Sequence, residues 1–154
     1  MSLESVKKNL EKYNLEKRIF KLKSSGATVE KAAQTIGVRP EQIAKTLAFS
    51  VKKHPFLVVT IGTAQIDNHK LKKIFGRRTH MIPIGNVEKI TGHPIGGVCP
   101  FGLNPGIKTY LDSTLKKFNI FYPAAGNPNY AMKLFLSEIN KYAFPESWIS
   151  VSKE

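Results

Sequence analysis

Apolar residues recur at helical spacing from the start of the chain, at Leu3, Val6 and Leu10. This predicts a short amphipathic helix over residues 3–13, with Lys7, Lys8 and Lys12 on its polar side. The period then drops to two. Arg18 to Lys23 alternates polar and apolar positions, as a half-buried strand does. Thr28 is placed to cap a helix running to Ile36, and Gly37 to stop it. Pro40 opens a further short helix through Ala44. Residues 45–51 and 55–61 predict two strands, with the turn at His54-Pro55 and its neighbours.

Asp67 caps a basic helix over residues 68–75, and Gly76 ends it. Residues 87–90 predict one or two helical turns. Residues 92–106 contain five glycines and three prolines, too many for a regular element. Residues 107–111 and 118–122 are β-like, residues 130–136 alternate again, and residues 137–142 close as a helix. Short strands among irregularly placed helices predict an α/β domain with a mixed sheet. No repeat or linker divides the chain, so residues 1–154 are expected to form one domain.

Composition narrows the class of partner. With 42% hydrophobic and 23% charged residues the chain is globular, not disordered. The net charge of +13, from 24 Lys and Arg against 11 Asp and Glu, favours an anionic partner. Nucleic acid comes first and an anionic membrane surface second. Cys99 is the one cysteine, so no intrachain disulfide can form. No apolar run approaches the ~20 residues of a membrane span, and Met1 to Leu15 lacks a signal-peptide core. The expected location is cytoplasmic.

Two stretches carry candidate chemistry. In Ile95-Gly96-Gly97-Val98-Cys99-Pro100-Phe101-Gly102, paired glycines let backbone approach a ligand and the proline fixes the loop's shape. Its N–H groups could meet a carbonyl or phosphate oxygen. In Gln42-Ile43-Ala44-Lys45-Thr46-Leu47-Ala48-Phe49, a lone lysine enters an apolar run, where it could hold a phosphate or polarise a carbonyl. The bland alternative is a surface lysine whose stem packs along the strand. Residues 30–45 also have the outline of a helix-turn-helix, which makes DNA reading a rival. A recognition helix should continue past Ala44, whereas the chain there turns β-branched and aromatic. Cys99 near His93 could be a nucleophile and base, although a small residue in a tight loop needs no such role. The four histidines show no metal-ligand spacing, and no nucleotide phosphate loop is present, so neither metal nor cofactor is implied. Basic clusters at residues 17–23, 70–78 and 116–117 are each a solvated face taken singly. Together they could track an RNA backbone.

The order and spacing of three segments resemble the YbaK family, also called the prolyl-tRNA-synthetase-associated editing domain. They are Ile43-Ala44-Lys45-Thr46-Leu47; Thr91-Gly92 followed by Gly96-Gly97-Val98-Cys99-Pro100-Phe101-Gly102; and Tyr110-Leu111-Asp112. The resemblance covers roughly Glu16 to Tyr142. It implies a compact α/β domain with a strongly curved, barrel-like mixed sheet flanked by helices. It also implies a freestanding aminoacyl-tRNA deacylase, which hydrolyses the ester of a wrongly charged tRNA. Lys45 matches the family lysine that orients the terminal phosphate or ester, and Gly97-Val98-Cys99-Pro100 matches the loop that frames the amino-acid pocket.

On that resemblance Lys45 and Gly97 are the expected catalytic residues. Thr46, Gly96, Val98, Cys99, Pro100, Ala124, Ala125 and Gly126 are the expected substrate contacts. Lys70, Lys72, Lys73, Arg77 and Arg78 are the expected tRNA contacts. The partners are tRNA and, as a second candidate, an aminoacyl-tRNA synthetase. In the branch acting on cysteinyl-tRNA a Ser-Gly-Gly stretch is followed by an acidic residue. This chain has Ala124-Ala125-Gly126 and Ala131 there, which points away from cysteine and toward other small amino acids. A non-catalytic tRNA- or ligand-binding relative is the alternative.

Overall fold

The computed structural model describes residues 2–154; Met1 lies outside them. Helix α1 (Ser2–Glu11) buries Val6 and Leu10, the stripe its spacing predicts. A short strand β1 (Ile19–Lys21) follows. Helix α2 (Val29–Ile36) begins where the Thr28 hydroxyl accepts the Lys31 N–H and ends at Gly37, whose φ of 84° suits a residue without Cβ. The second helix of the helix-turn-helix outline is absent. Pro40–Gln42 make one 3-10 turn, and strand β2 (Ala44–Val51) starts at once, because Ile43 and Ala44 are drawn into the core.

Strand β3 (His54–Ile61) pairs antiparallel with β2 over its whole length. The turn between them is Lys52-Lys53, with φ of 49° and 65°, and not His54-Pro55; His54 already pairs with Val51. Two left-handed residues match the twist of a hairpin, and lysine gives no local sign of that conformation. Helix α3 (Asn68–Phe75) is capped by the Asp67 carboxylate, which accepts the His69 and Lys70 N–H groups. Strand β4 (His80–Met81) joins the free edge of β2. Helix α4 (Ile84–Thr91) is longer than the 87–90 predicted, and its last carbonyls are met by the Asn104 side chain.

Strand β5 (Lys108–Asp112) runs parallel to β3. After a 3-10 turn at Ser113–Lys117 come β6 (Ile120–Phe121), β7 (Tyr130–Met132) and β8 (Leu134–Phe135). The predicted 130–136 strand breaks at Lys133, since β7 pairs with β1 and β8 with β6. Helix α5 (Leu136–Tyr142) and β9 (Ser147–Ile149), parallel to β5, complete the chain.

The strands form a mixed five-stranded sheet in the order β4-β2-β3-β5-β9, with two separate two-stranded ribbons. The helices flank this α/β arrangement as expected, while the strand pairing falls into three pieces and not one continuous strip. β3 lies at the centre, buried from Phe56 to Ile61. Phe56 and Val58 pack toward Leu71 of α3, and Leu57 packs with Ile82 and Val87. Val59 and Ile61 join the largest cluster, with Leu10, Phe101 and Phe121. Among the described residues no helix is long and apolar enough to cross a membrane.

Candidate functional site

A cleft of about 250 Å³ opens along β2. One wall is the strand itself, from Ala44 to Ala48. The start of α2 with Gly26, Ala27 and Thr28 forms a second wall, and Met81, Ile82 and Val87 a third. Ile95, Gly96 and Val98 of the glycine loop meet Tyr122, Ala124, Tyr130 and Ala131 across the remaining side. The lining is mostly apolar. It holds no Ser, Cys, His, Asp or Glu, so no carboxylate, imidazole or thiol is offered to a bound ester there.

Lys45 is the cation of this lining. Its half-buried side chain runs back to the loop after β3, where Nζ donates to the Ala64 carbonyl. Burial holds its pKa below the ordinary lysine value, and the negative charge of Glu30 on α2 acts in the opposite sense. Beside it, the Thr46 hydroxyl is buried without a hydrogen-bond partner. A buried, unpartnered hydroxyl costs stability unless something else meets it.

The glycine loop does two jobs at two depths. Gly96 (φ 83°) and Val98 line the cleft. Gly97 is buried behind them. Its N–H donates to the Pro94 carbonyl at 2.9 Å, and its carbonyl accepts the Gly126 N–H at 2.9 Å. A Cβ on Gly97 would lie 2.5 Å from the Asn127 nitrogen. The Gly97 N–H is therefore already used within the loop. The N–H groups of Gly96 and Val98 make no hydrogen bond among the described residues.

Cys99 and Pro100 are buried away from the lining. Cys99 is fully enclosed, and burial pushes its thiol up to about 12. His93 Nε2 lies 2.7 Å from the Phe101 carbonyl, to which it must donate, and 3.8 Å from Cys99 Sγ. The ring nitrogen that faces sulfur thus carries a proton, and burial holds the imidazole pKa down. This pair cannot act as thiolate and base.

Of the expected catalytic residues and substrate contacts, Lys45, Thr46, Gly96, Val98 and Ala124 come together at the cleft. Gly97, Cys99, Pro100, Ala125 and Gly126 form the layer behind it. Ala125 is in the main core, and Gly126 (φ 82°) sits against α1, where the Ser2 hydroxyl bonds its carbonyl. Sequence reading missed Tyr122, Tyr130, Met81 and the start of α2. The two tyrosines flank the Ala-Ala-Gly stretch, and that spacing was the available signal.

Lys72, Lys73, Arg77 and Arg78 are exposed at and after the end of α3. Lys70 differs, because its Nζ donates to the Ser152 carbonyl at 2.8 Å. Lys72, Arg78, His69, His80 and Met81 border a second groove. Met81 also lines the cleft, so the groove and the cleft share this residue.

The chain is similar to known proteins. A sequence model described as the aminoacyl-tRNA editing domain matches residues 23–142. Over 155 aligned residues the chain is 42% identical to the uncharacterized protein YwhH of Bacillus subtilis, covering 100% of this chain and 99% of that one. It is 28% identical over 109 residues to "Putative Cys-tRNA(Pro)/Cys-tRNA(Cys) deacylase EbsC" of Enterococcus faecalis, covering 70% of this chain and 66% of that one. The crystal structure of "a putative trans-editing enzyme for prolyl tRNA synthetase" superposes with a TM-score of 0.89 at 26% identity, over 99% of this chain and 98% of that one.

Proposed function

Because the chain belongs to the aminoacyl-tRNA editing domain family, we propose that it is an aminoacyl-tRNA deacylase acting in trans on tRNA mischarged with a small amino acid. The observation that carries this reading is the cleft, with one cationic residue and one buried, unpartnered hydroxyl at Thr46 among lining residues that are mostly apolar. An aminoacyl ester is already activated, so stabilising the oxyanion of its tetrahedral intermediate is the main demand. The Lys45 ammonium meets that demand or holds the terminal phosphate. The N–H groups of Gly96 and Val98, which make no hydrogen bond among the described residues, would add donors. The attacking group is water or the neighbouring ribose hydroxyl, in keeping with a lining whose side chains, Lys45 apart, are apolar or carry hydroxyls.

Ala44, Ala48, Ala124 and Ala131 leave space for a small side chain and no carboxylate to select a thiol. Discrimination by apolar fit alone reaches about 10–200-fold per methylene. Lys72, Lys73, Arg77 and Arg78, with Lys70 tied to the chain, form the track for the acceptor strand leading to the cleft. The test is turnover on tRNAs charged with alanine, serine, cysteine, proline and an aromatic residue, repeated across a salt series. Graded turnover among alanine and serine is expected, with affinity falling steeply as salt rises. Fastest turnover on cysteine, or equal turnover on the aromatic, would overturn the specificity. Intact ester on every tRNA would leave the non-catalytic alternative. A flat salt response would remove the basic surface from binding.

A further inference from the structure

The chain beyond α5 lies outside residues 23–142, yet it reaches the neighbourhood of Lys45. After β9 the strap at 150–153 turns inward. Val151 is fully buried and Ser152 nearly so. Both are tied to Asp112, itself fully buried at the end of β5. The Val151 N–H donates to Asp112 Oδ1 at 2.9 Å, and the Ser152 hydroxyl donates to Oδ2 at 2.8 Å. Thr114 completes the carboxylate's partners, through its hydroxyl at 2.6 Å and its N–H at 3.2 Å.

The other side of the strap grips the loop between β3 and α3. The Asp67 N–H donates to the Val151 carbonyl at 2.7 Å, and the Lys153 N–H to the Gln65 carbonyl at 2.8 Å. Lys70 Nζ adds a bond to the Ser152 carbonyl. Ala64 is in this loop, and its carbonyl receives the Lys45 ammonium. A lysine stem has four rotatable bonds, and here the carbonyl is what fixes its end. Ala64 donates its own N–H to the Ile61 carbonyl at 3.1 Å, and the strap reaches its carbonyl through the next residue, Gln65.

We propose that the 150–153 strap positions the Lys45 ammonium for the reaction, with Asp112 and Ser152 as positioning residues that act through the Ala64 carbonyl. This rests on the role given to Lys45 under the proposed function. It supplies a reason for an aspartate in the Tyr110-Leu111-Asp112 segment, whose carboxylate faces the strap and not the cleft.

Ser152→Ala removes one bond to Asp112. Lys153→Pro removes the N–H that holds Gln65 and leaves both strap bonds to Asp112. Two readouts separate positioning from mere support. The first is the 13Cε order parameter of Lys45 by NMR relaxation, compared with that of exposed Lys72. It should exceed that of Lys72 in the unmodified protein and fall to the Lys72 level in either variant. The second is deacylation in a double-mutant cycle. Either variant should lose about fivefold alone and nothing further in a Lys45→Ala background. An unchanged order parameter in a folded variant, or a loss that multiplies with that of Lys45→Ala, would overturn the proposal. So would failure of both variants to fold, which would make the strap a core strand. If Lys45→Ala alone keeps full turnover, the role of Lys45 falls, and the order parameter still decides whether the strap holds its ammonium.

Discussion

Two stretches face one another across the cleft and serve it differently. On the β2 side, half-buried Lys45 and Thr46, whose hydroxyl is buried without a partner, line the cleft. On the loop side, Ile95, Gly96 and Val98 reach the lining, while Gly97, Cys99 and Pro100 are packed behind it. The first stretch is chemistry on a rigid strand. The second is largely construction: a residue without Cβ lets two loops close on each other, and the closed loops make the wall. A sequence motif therefore mixes residues that touch a ligand with residues that let others do so.

The largest break in this comparison comes from Gly97→Val. Its Cβ would lie 2.5 Å from the Asn127 nitrogen and 2.7 Å from the Gly126 carbonyl carbon, both backbone atoms. Backbone cannot swing aside as a side-chain tip can, so the 94–98 and 124–128 segments must part. A loss of about 3 kcal/mol or more of stability is expected, judged by the usual cost of overpacking. Thermal melting checks it. A variant that melts with the unmodified protein but has lost turnover would move Gly97 from construction to chemistry.

On the opposite wall the expected loss is in rate. Lys45→Ala should cost at least tenfold in deacylation, about 1.4 kcal/mol of barrier, with little change in melting temperature. The sign of its pH dependence follows from burial. The lysine pKa is lowered from its ordinary 10.5, so the ammonium is lost at a pH below that value. Catalysed turnover should fall along that alkaline limb, after subtraction of the hydroxide-driven hydrolysis that rises there. Lys45→Arg keeps its charge through the same range, and any residual activity should show no limb. An unchanged limb in Lys45→Arg would assign the titration to another group.

Local chemistry was legible in the sequence, and long-range assembly much less so. Helices α2 and α3 were readable because Thr28, Gly37, Asp67 and Gly76 announce their ends within one turn. The hairpin was readable as two strands, but its turn was displaced because left-handed Lys52 and Lys53 carry no signal. β4 and β9 are only two and three residues long and exist through pairing with β2 and β5. No local period reveals such strands. The site divides in the same way. Lys45 stood out as a lone charge in an apolar run, whereas Tyr122, Tyr130 and Met81 reach the cleft from segments far apart in sequence. Cys99 enters the expected lining with the Gly97-Val98-Cys99-Pro100 match to the family loop, and its complete burial is a tertiary fact that no local signal carries.

Cys99→Ser gives the smallest effect and the sharpest division between the two depths of the loop. The sulfur is fully enclosed, 3.6 Å from the Phe101 carbonyl and 3.8 Å from His93 Nε2. A serine hydroxyl is smaller and more polar. It exchanges apolar contact for a hydrogen bond that the Phe101 carbonyl can accept while still taking the His93 N–H. Burying the hydroxyl with one partner should cost about 1–2 kcal/mol of stability. Turnover below the melting transition should stay within twofold, because Cys99 is absent from the cleft lining. Thiol-alkylating reagents should react slowly with the native protein, since burial both shields the thiol and pushes it up to about 12. Rapid alkylation that abolishes turnover, together with an inactive but folded Cys99→Ser, would put the sulfur into the reaction and erase the division between the lining and the layer behind it.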